Sequence, residues 1–268
     1  DDAAARADLL SVDSYTVELD LTDGAGAPGA GTFRSRTVVR FSCSRPGSET
    51  FVDLRSASIR SATLNGRDLD TSGYRDEDGL TLPGLEAENE LVVDADLAYT
   101  TTGEGLHRMV DPVDDEVYLY SQFETADAKR VFACFDQPDL KATYTLTVTA
   151  PASWVVVANT LAEERPGDHD TIVHRFATTE VMSTYLVALI AGPYHVEQDT
   201  YTDDHGVIPL RLLCRASLAE HLDAERLFAE TKEGFGFYHR EFGLPYAFGK
   251  YDQVFVPEFN AGAMENAG

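Results

Sequence analysis

Near its C-terminus the chain reads Val254-Phe255-Val256-Pro257-Glu258-Phe259-Asn260-Ala261-Gly262-Ala263-Met264-Glu265-Asn266. An apolar strand passes through a proline into small residues and then a carboxylate. Gly262 and Ala263 have little or no side chain, so a second backbone can approach them as an added strand approaches a sheet edge. Glu265 follows at a spacing that could cap the ammonium of a peptide lying there. The plainer reading of the same residues is a turn with an exposed glutamate. A second stretch, Tyr118-Leu119-Tyr120-Ser121-Gln122-Phe123-Glu124, is an apolar strand ending in two long polar side chains. In a strand Gln122 and Glu124 share one face while Phe123 points to the other. That arrangement suits hydrogen bonding to a ligand, and it equally suits a solvated sheet face. The run 128–139 mixes aromatics with a turn and alone reads as a structured loop.

In combination these segments resemble a known family. Gly262-Ala263-Met264-Glu265-Asn266 is identical to the exopeptidase signature of the M1 zinc aminopeptidases, the family of aminopeptidase N. Gln122-Phe123-Glu124 followed by Arg130-Val131-Phe132-Ala133-Cys134-Phe135-Asp136-Gln137-Pro138 resembles the family's second diagnostic stretch. Gly105-Leu106-His107-Arg108 is also similar, and 234–257 resembles the approach to the signature. The likeness covers essentially the whole chain, and two ordered motifs at family-like separation are far more specific than one pentapeptide.

The resemblance implies roles. Glu265 and Glu124 would hold the substrate's α-ammonium, Glu265 as the signature's amine anchor. Gly262 and Ala263 would pair by backbone with the substrate's first residues, and Gln122 and Met264 would line the pocket for its N-terminal side chain. Asn266 completes the implied substrate-binding set. An ammonium held by two carboxylates forms charge-assisted hydrogen bonds that an internal peptide bond cannot offer. Such an enzyme takes peptides with a free N-terminus.

The same family binds zinc through H-E-x-x-H on a helix plus a more distant Glu, with the motif's own Glu as general base. The residues after His107, His169, His174, His195, His205, His221 and His239 are Arg, Asp, Arg, Val, Gly, Leu and Arg. None is Glu. In the family the zinc motif follows soon after the pentapeptide, and this chain stops two residues past Asn266. The reading is therefore an N-terminal portion of a zinc aminopeptidase, with Zn2+ in the complete enzyme and neither metal nor activity in this chain alone. Two rivals are a non-enzymatic M1-like scaffold or interaction domain and the family's epoxide hydrolase branch. The scaffold tends to lose the signature carboxylate, whereas Glu265 and Glu124 are both present; the epoxide hydrolase pentapeptide usually differs.

The elements that must position these residues are mostly strands. Tyr15, Val17, Leu19 and Leu21 alternate with Thr16, Glu18 and Asp20, the period of a half-buried strand. Strand patterns follow at 32–41, 49–54, 91–99, 117–123, 142–149, 154–158, 171–176, 185–191 and 210–214, mostly separated by short turns. Asn65-Gly66 is a hairpin turn, because both central residues of that turn type need positive φ. This spacing predicts a large antiparallel assembly rather than βαβ units. Ser217-Leu218-Ala219-Glu220 reads as a capping box opening a helix. Leu218, Leu222, Phe228, Thr231, Phe235 and Tyr238 would form its apolar face, and Gly243 and Pro245 its stop. The character changes near Gly192-Pro193. The predicted organisation is a β-sandwich or saddle domain over 1–192, then over 193–268 the opening sheet and helix of a thermolysin-like α+β catalytic domain, truncated before the zinc motif.

Composition narrows the partners. The formal charge of −25 leaves no basic stripe for phosphates, which excludes nucleic acid. No apolar run reaches the roughly 18 residues of a membrane span, and residues 1–7 lack the basic-then-apolar layout of a signal peptide. Cys43, Cys134 and Cys214 are odd in number and widely spaced, with no C-x-x-C pair. A reducing, cytoplasmic setting is the simplest fit.

Overall fold

The computed structural model describes residues 2–268. Its strands form where apolar residues alternate. Along Leu10–Asp20, Tyr15, Val17 and Leu19 are buried while Glu18 is exposed. That strand lies inside an eight-stranded sheet ordered Ala162–Pro166, Thr171–Phe176, Thr143–Pro151, Leu10–Asp20, Thr32–Cys43, Glu88–Ala98, Ser58–Leu64 and Arg67–Asp68. A second sheet has the order Val155–Ala158, Leu189–Gly192, Val117–Gln122, Gly105–Val110. Thr50–Val52 and Leu80–Leu82 form a two-stranded ribbon.

One core joins the first two sheets, taking Tyr15, Phe41 and Tyr144 from the large sheet and Leu106, Leu119 and Leu189 from the smaller one. The 128–139 run is more than a surface loop. Phe132, Ala133, Cys134 and Phe135 are fully buried in this core. The Phe135 amide donates to Tyr15 Oη at 3.1 Å, and Tyr15 and Tyr144 stack with ring centroids 5.0 Å apart. Each fully buried ring of this kind contributes about 1.5–3 kcal/mol relative to exposure.

The mostly β class holds, with two departures in detail. The large sheet is not wholly antiparallel, since Leu10–Asp20 runs parallel to Thr143–Pro151 with Ser14 opposite Thr143. The stretch read as a strand over 185–191 opens with a 3-10 turn, Thr184–Leu186, and extends only from Leu189 to Gly192. The Asn65-Gly66 turn is as predicted, at φ 53° and 74°, and sets Leu64 opposite Arg67.

Beyond Gly192 a three-stranded sheet is ordered His195–Asp203, Gly206–Cys214, Tyr251–Phe255, its last pair parallel. Helix Ala224–Phe242 packs on it through Phe228, Leu227 and Phe235 against Leu210, Leu212 and Tyr201. The capping-box reading is corrected. Ser217 lies in a 3-10 turn, Ala216–His221, and its hydroxyl donates to Asp111 at 2.6 Å. The helix starts later, with Asp223 as N-cap accepting from the Arg226 amide. The predicted apolar face is also trimmed, because Leu218 precedes the helix and Tyr238 stacks outward on Phe242. Gly243 ends the helix in the left-handed region, at φ 64°.

A small apolar cluster crosses residue 192. Tyr118 and Val157 of the four-stranded sheet meet Tyr194 and Leu213. Beside it Asp111, fully buried, accepts from Arg215 Nη1 at 2.9 Å. No helix among the described residues is long and apolar enough to cross a membrane.

Candidate substrate-anchoring site

Strand Val117–Gln122 runs between Leu189–Gly192 and Gly105–Val110, with Gly105 opposite Gln122 and His107 opposite Tyr120. Alternation sends Leu119 and Phe123 into the main core and Tyr120 and Gln122 to the other face. Gln122 Oε1 is buried there without a hydrogen-bond partner. Leaving a buried acceptor unpaired costs about 1–3 kcal/mol, so the atom is an opening for a donor.

Glu124 lies beyond the last paired residue, exposed in a turn. The shared strand face read for Gln122 and Glu124 is therefore not formed. The chain leaves the sheet at Phe123, whose carbonyl accepts from the Asp127 amide at 3.0 Å and leads into the 3-10 turn Ala128–Arg130. Gly105 makes room for this exit, since a Cβ there would stand 2.8 Å from the Arg130 side chain.

Tyr251–Phe255 delivers the chain to the same strands. The Tyr120 hydroxyl donates to the Glu258 carbonyl at 3.3 Å, and Phe259 meets the Tyr120 ring edge-on at 5.8 Å. Asn260 Nδ2 donates to the Thr102 carbonyl at 2.7 Å. Glu258 has φ 55°, and its Oε2 lies 3.3 Å from Nε2 of buried His107. Burial pushes the His107 imidazole below its ordinary range, with Glu258 pulling partly back. Burial, reinforced by Glu258, pushes the Tyr120 phenol up to about 12.

The far end is also held. Asn159 Nδ2 donates to the Ala267 carbonyl at 2.8 Å and to Leu186 at 2.9 Å. Its Oδ1 accepts from the Ala188 amide at 2.9 Å. Lys250 Nζ, almost fully buried, reaches the Gly268 carbonyl at 2.8 Å and Asp252 at 2.7 Å. Asp252 in turn accepts from two of the guanidinium nitrogens of Arg211, Nε and Nη2.

Between these holds Gly262, Ala263 and Glu265 are exposed, and Met264 and Asn266 half-buried. Among the described residues no hydrogen bond or ion pair engages the Glu265 or Glu124 side chain. The structure thus brings 258–260 onto the strand that ends at Gln122, and suspends Gly262–Asn266 with its backbone open. Sequence reading missed Asn159 and Lys250, whose burial depends on distant segments. Tyr120 and His107 lay inside quoted motifs, but nothing local marked them as contacts of Glu258.

The family's zinc does not fit these donors. Among the described residues one three-ligand grouping of His and carboxylate side chains is Asp203, His205 and His239, on the small sheet's hairpin and the long helix. The Tyr246 amide donates to His239 Nε2 at 2.9 Å, which leaves the ring proton on Nδ1, 2.6 Å from Asp203. A histidine ligand ordinarily donates from its second nitrogen; here that nitrogen accepts. The arrangement suits a His–Asp hydrogen bond.

Comparison with known proteins agrees with this layout. Residues 13–186 match the Peptidase M1 N-terminal domain and residues 227–268 the Peptidase family M1 domain. Aminopeptidase N of Streptomyces lividans is 52% identical over 269 residues, covering 100% of this chain and 31% of that protein. Aminopeptidase N of Canis lupus familiaris is 27% identical over 95% of this chain and 28% of its own length. Aminopeptidase M1 of Arabidopsis thaliana is 35% identical over 55% of this chain and 16% of its own length. The chain spans less than a third of each of these relatives. With both sections matched in order along the chain, this chain belongs to the M1 peptidase family.

Proposed function

We propose that this chain supplies the amine-gripping part of a zinc-dependent aminopeptidase that releases N-terminal residues from peptides. The observation that carries the reading is the suspended segment Gly262–Asn266, with Glu265 unpartnered, following closely on residues 258–260, which contact the strand that ends in an unsatisfied Gln122. An incoming peptide lies along Gly262 and Ala263 and exchanges backbone hydrogen bonds with them. Glu265 and Glu124 receive its ammonium, Gln122 accepts from it or from the first peptide group, and Met264 and Asn266 border the first side chain. These residues bind and orient. When bound, zinc supplies a Lewis acid and an activated water in such enzymes. Its ligands belong, on this reading, to the more than two-thirds of the relatives' length that the chain does not match, so this chain alone neither binds zinc stoichiometrically nor turns over substrate.

On the same footing the chain comprises two units, 1–192 and 193–268, and works in the cytoplasm, where its three buried cysteines stay as free thiols. The scaffold alternative would be expected to lose the signature carboxylate, whereas Glu265 and Glu124 are both present.

Steady-state kinetics of Glu265→Gln and Glu124→Gln in the full-length enzyme, with zinc content measured alongside, tests the reading. Each loses transition-state stabilisation of roughly 2–5 kcal/mol with zinc retained, the range for breaking one partner of a desolvated charge pair. Wild-type efficiency in both variants, or zinc lost in step with activity, overturns it.

A further inference from the structure

His107 faces Glu258 on the approach to the pentapeptide, and its surroundings define its proton. Its ring is 1% exposed and stacks on Tyr120 with centroids 4.8 Å apart. The Gly103 amide donates to Nδ1 at 3.0 Å. A backbone N–H can only donate, so Nδ1 is bare and the neutral ring carries its proton on Nε2. Glu258 Oε2 stands 3.3 Å from Nε2, within ion-pair range but off the N–H axis, so no aligned hydrogen bond is formed. A buried donor therefore has one charged acceptor within reach, on the loop residue that opens the run to Glu265.

We propose that His107 is a positioning residue: through its Nε2–H and Glu258 it fixes where 258–260 sits, and so where Gly262–Glu265 is presented to a peptide. The functional half of this statement rests on the aminopeptidase reading above. Three further observations support it. Glu258 adopts a left-handed backbone, sparsely populated for a non-glycine residue, so something holds it there. Two other contacts converge within two residues, Tyr120 Oη on the Glu258 carbonyl and Asn260 on Thr102. Gly103, which supplies the donor that sets the tautomer, also admits Asn260, since a Cβ at Gly103 would lie 2.3 Å from its Nδ2. Glu258 and the Tyr120 hydroxyl are the titratable groups against the ring.

Backbone nitrogen-15 relaxation of this chain, residue by residue, tests the proposal. His107→Phe keeps a ring on Tyr120 and removes the N–H, Glu258→Ala removes the acceptor, and Glu258→Gln retains one. Order parameters over 259–266 fall toward the flexible range, below about 0.6, in His107→Phe and Glu258→Ala. The double variant falls no further than either single, and Glu258→Gln stays near wild type. Strand Leu189–Gly192 is the internal control. Unchanged order parameters at 259–266 in Glu258→Ala, or an equal fall at the control strand, overturn the proposal. Should His107→Phe fail to fold, the comparison of Glu258→Ala with Glu258→Gln still decides it. In the full-length enzyme the same Glu258→Ala change raises KM for free-amine substrates more than it lowers kcat. A segment that loosens while the Glu265→Gln enzyme keeps full efficiency would leave the positioning role standing and refute the amine-anchor reading instead.

Discussion

Asp136 accepts the Thr184 hydroxyl at 3.0 Å on one carboxylate oxygen and the Lys129 amide at 3.1 Å on the other, inside the core beneath the large sheet. Burial lifts its carboxyl to about 6 from an ordinary 3.8, and the two hydrogen bonds only partly oppose that lift. A raised carboxylate favours the protonated form in the fold, so the unfolded chain loses its proton first as pH rises. Folding stability then falls between about pH 4 and pH 6 and is flat above. The limit is about 3 kcal/mol, at 1.36 kcal/mol for each pH unit of displacement. Chemical denaturation of wild type and Asp136→Asn over this window shows the wild type losing ground; a constant difference contradicts the assignment.

The buried histidines carry the opposite sign. His107 and His174 are both pushed below the ordinary histidine range by burial, with Glu258 and Glu164 pulling back. Their neutral forms favour the fold, so their contribution is full above the unfolded value near 6.5 and declines as pH falls below it. Replacing His174 with Phe flattens the decline between pH 7 and pH 5. An unaltered acid limb in that variant counts against this account.

Helix capping separates two neighbouring sites. Asp223→Ala removes the side chain that accepts the Arg226 amide and costs about 1 kcal/mol of stability, the usual loss of an N-cap. Ser217→Ala leaves the helix start alone and instead removes a donor from buried Asp111. Amide exchange at 224–227 distinguishes them, rising in the first variant and not in the second.

Residues 1–192 are expected to fold without the remainder, at reduced stability. Most of the apolar interior lies among their strands, whereas Tyr118 and Val157 lose their cover when Tyr194 and Leu213 are removed. Limited proteolysis of the whole chain leaves a core ending near Gly192, and the isolated 1–192 segment melts cooperatively below the whole chain. Earlier digestion within 1–190 opposes this division.

Much of this was legible because the code is local. The alternation around Tyr15 and the Asn65-Gly66 turn state their structure within a few residues, and the pentapeptide states its kinship in five. What was not legible depends on partners far away in sequence. Ser217 has the spacing of a cap, but Asp111, more than a hundred residues earlier, claims its hydroxyl. Phe132 to Phe135 read as a loop because no period marks them, yet Tyr15 and Asp53 draw them into the interior. Gln122 and Glu124 have strand spacing, but pairing stops with Gly105 opposite Gln122.

The parallel pairing of Leu10–Asp20 with Thr143–Pro151 bears on how the chain acquires its shape. Leu10–Asp20 is an interior strand of its sheet, and one of its two edges is filled only by a segment made long afterwards. During synthesis, at about 5–20 residues each second, that edge stands open for several seconds while the opposite edge is already zipped to Thr32–Cys43. Closing so long a loop is entropically costly and slow. An unpaired interior edge is meanwhile a template for strands of other chains. Nascent chains stalled near residue 140 should therefore associate or recruit chaperones, and chains released past residue 176 should not, because the strands flanking that edge have by then emerged.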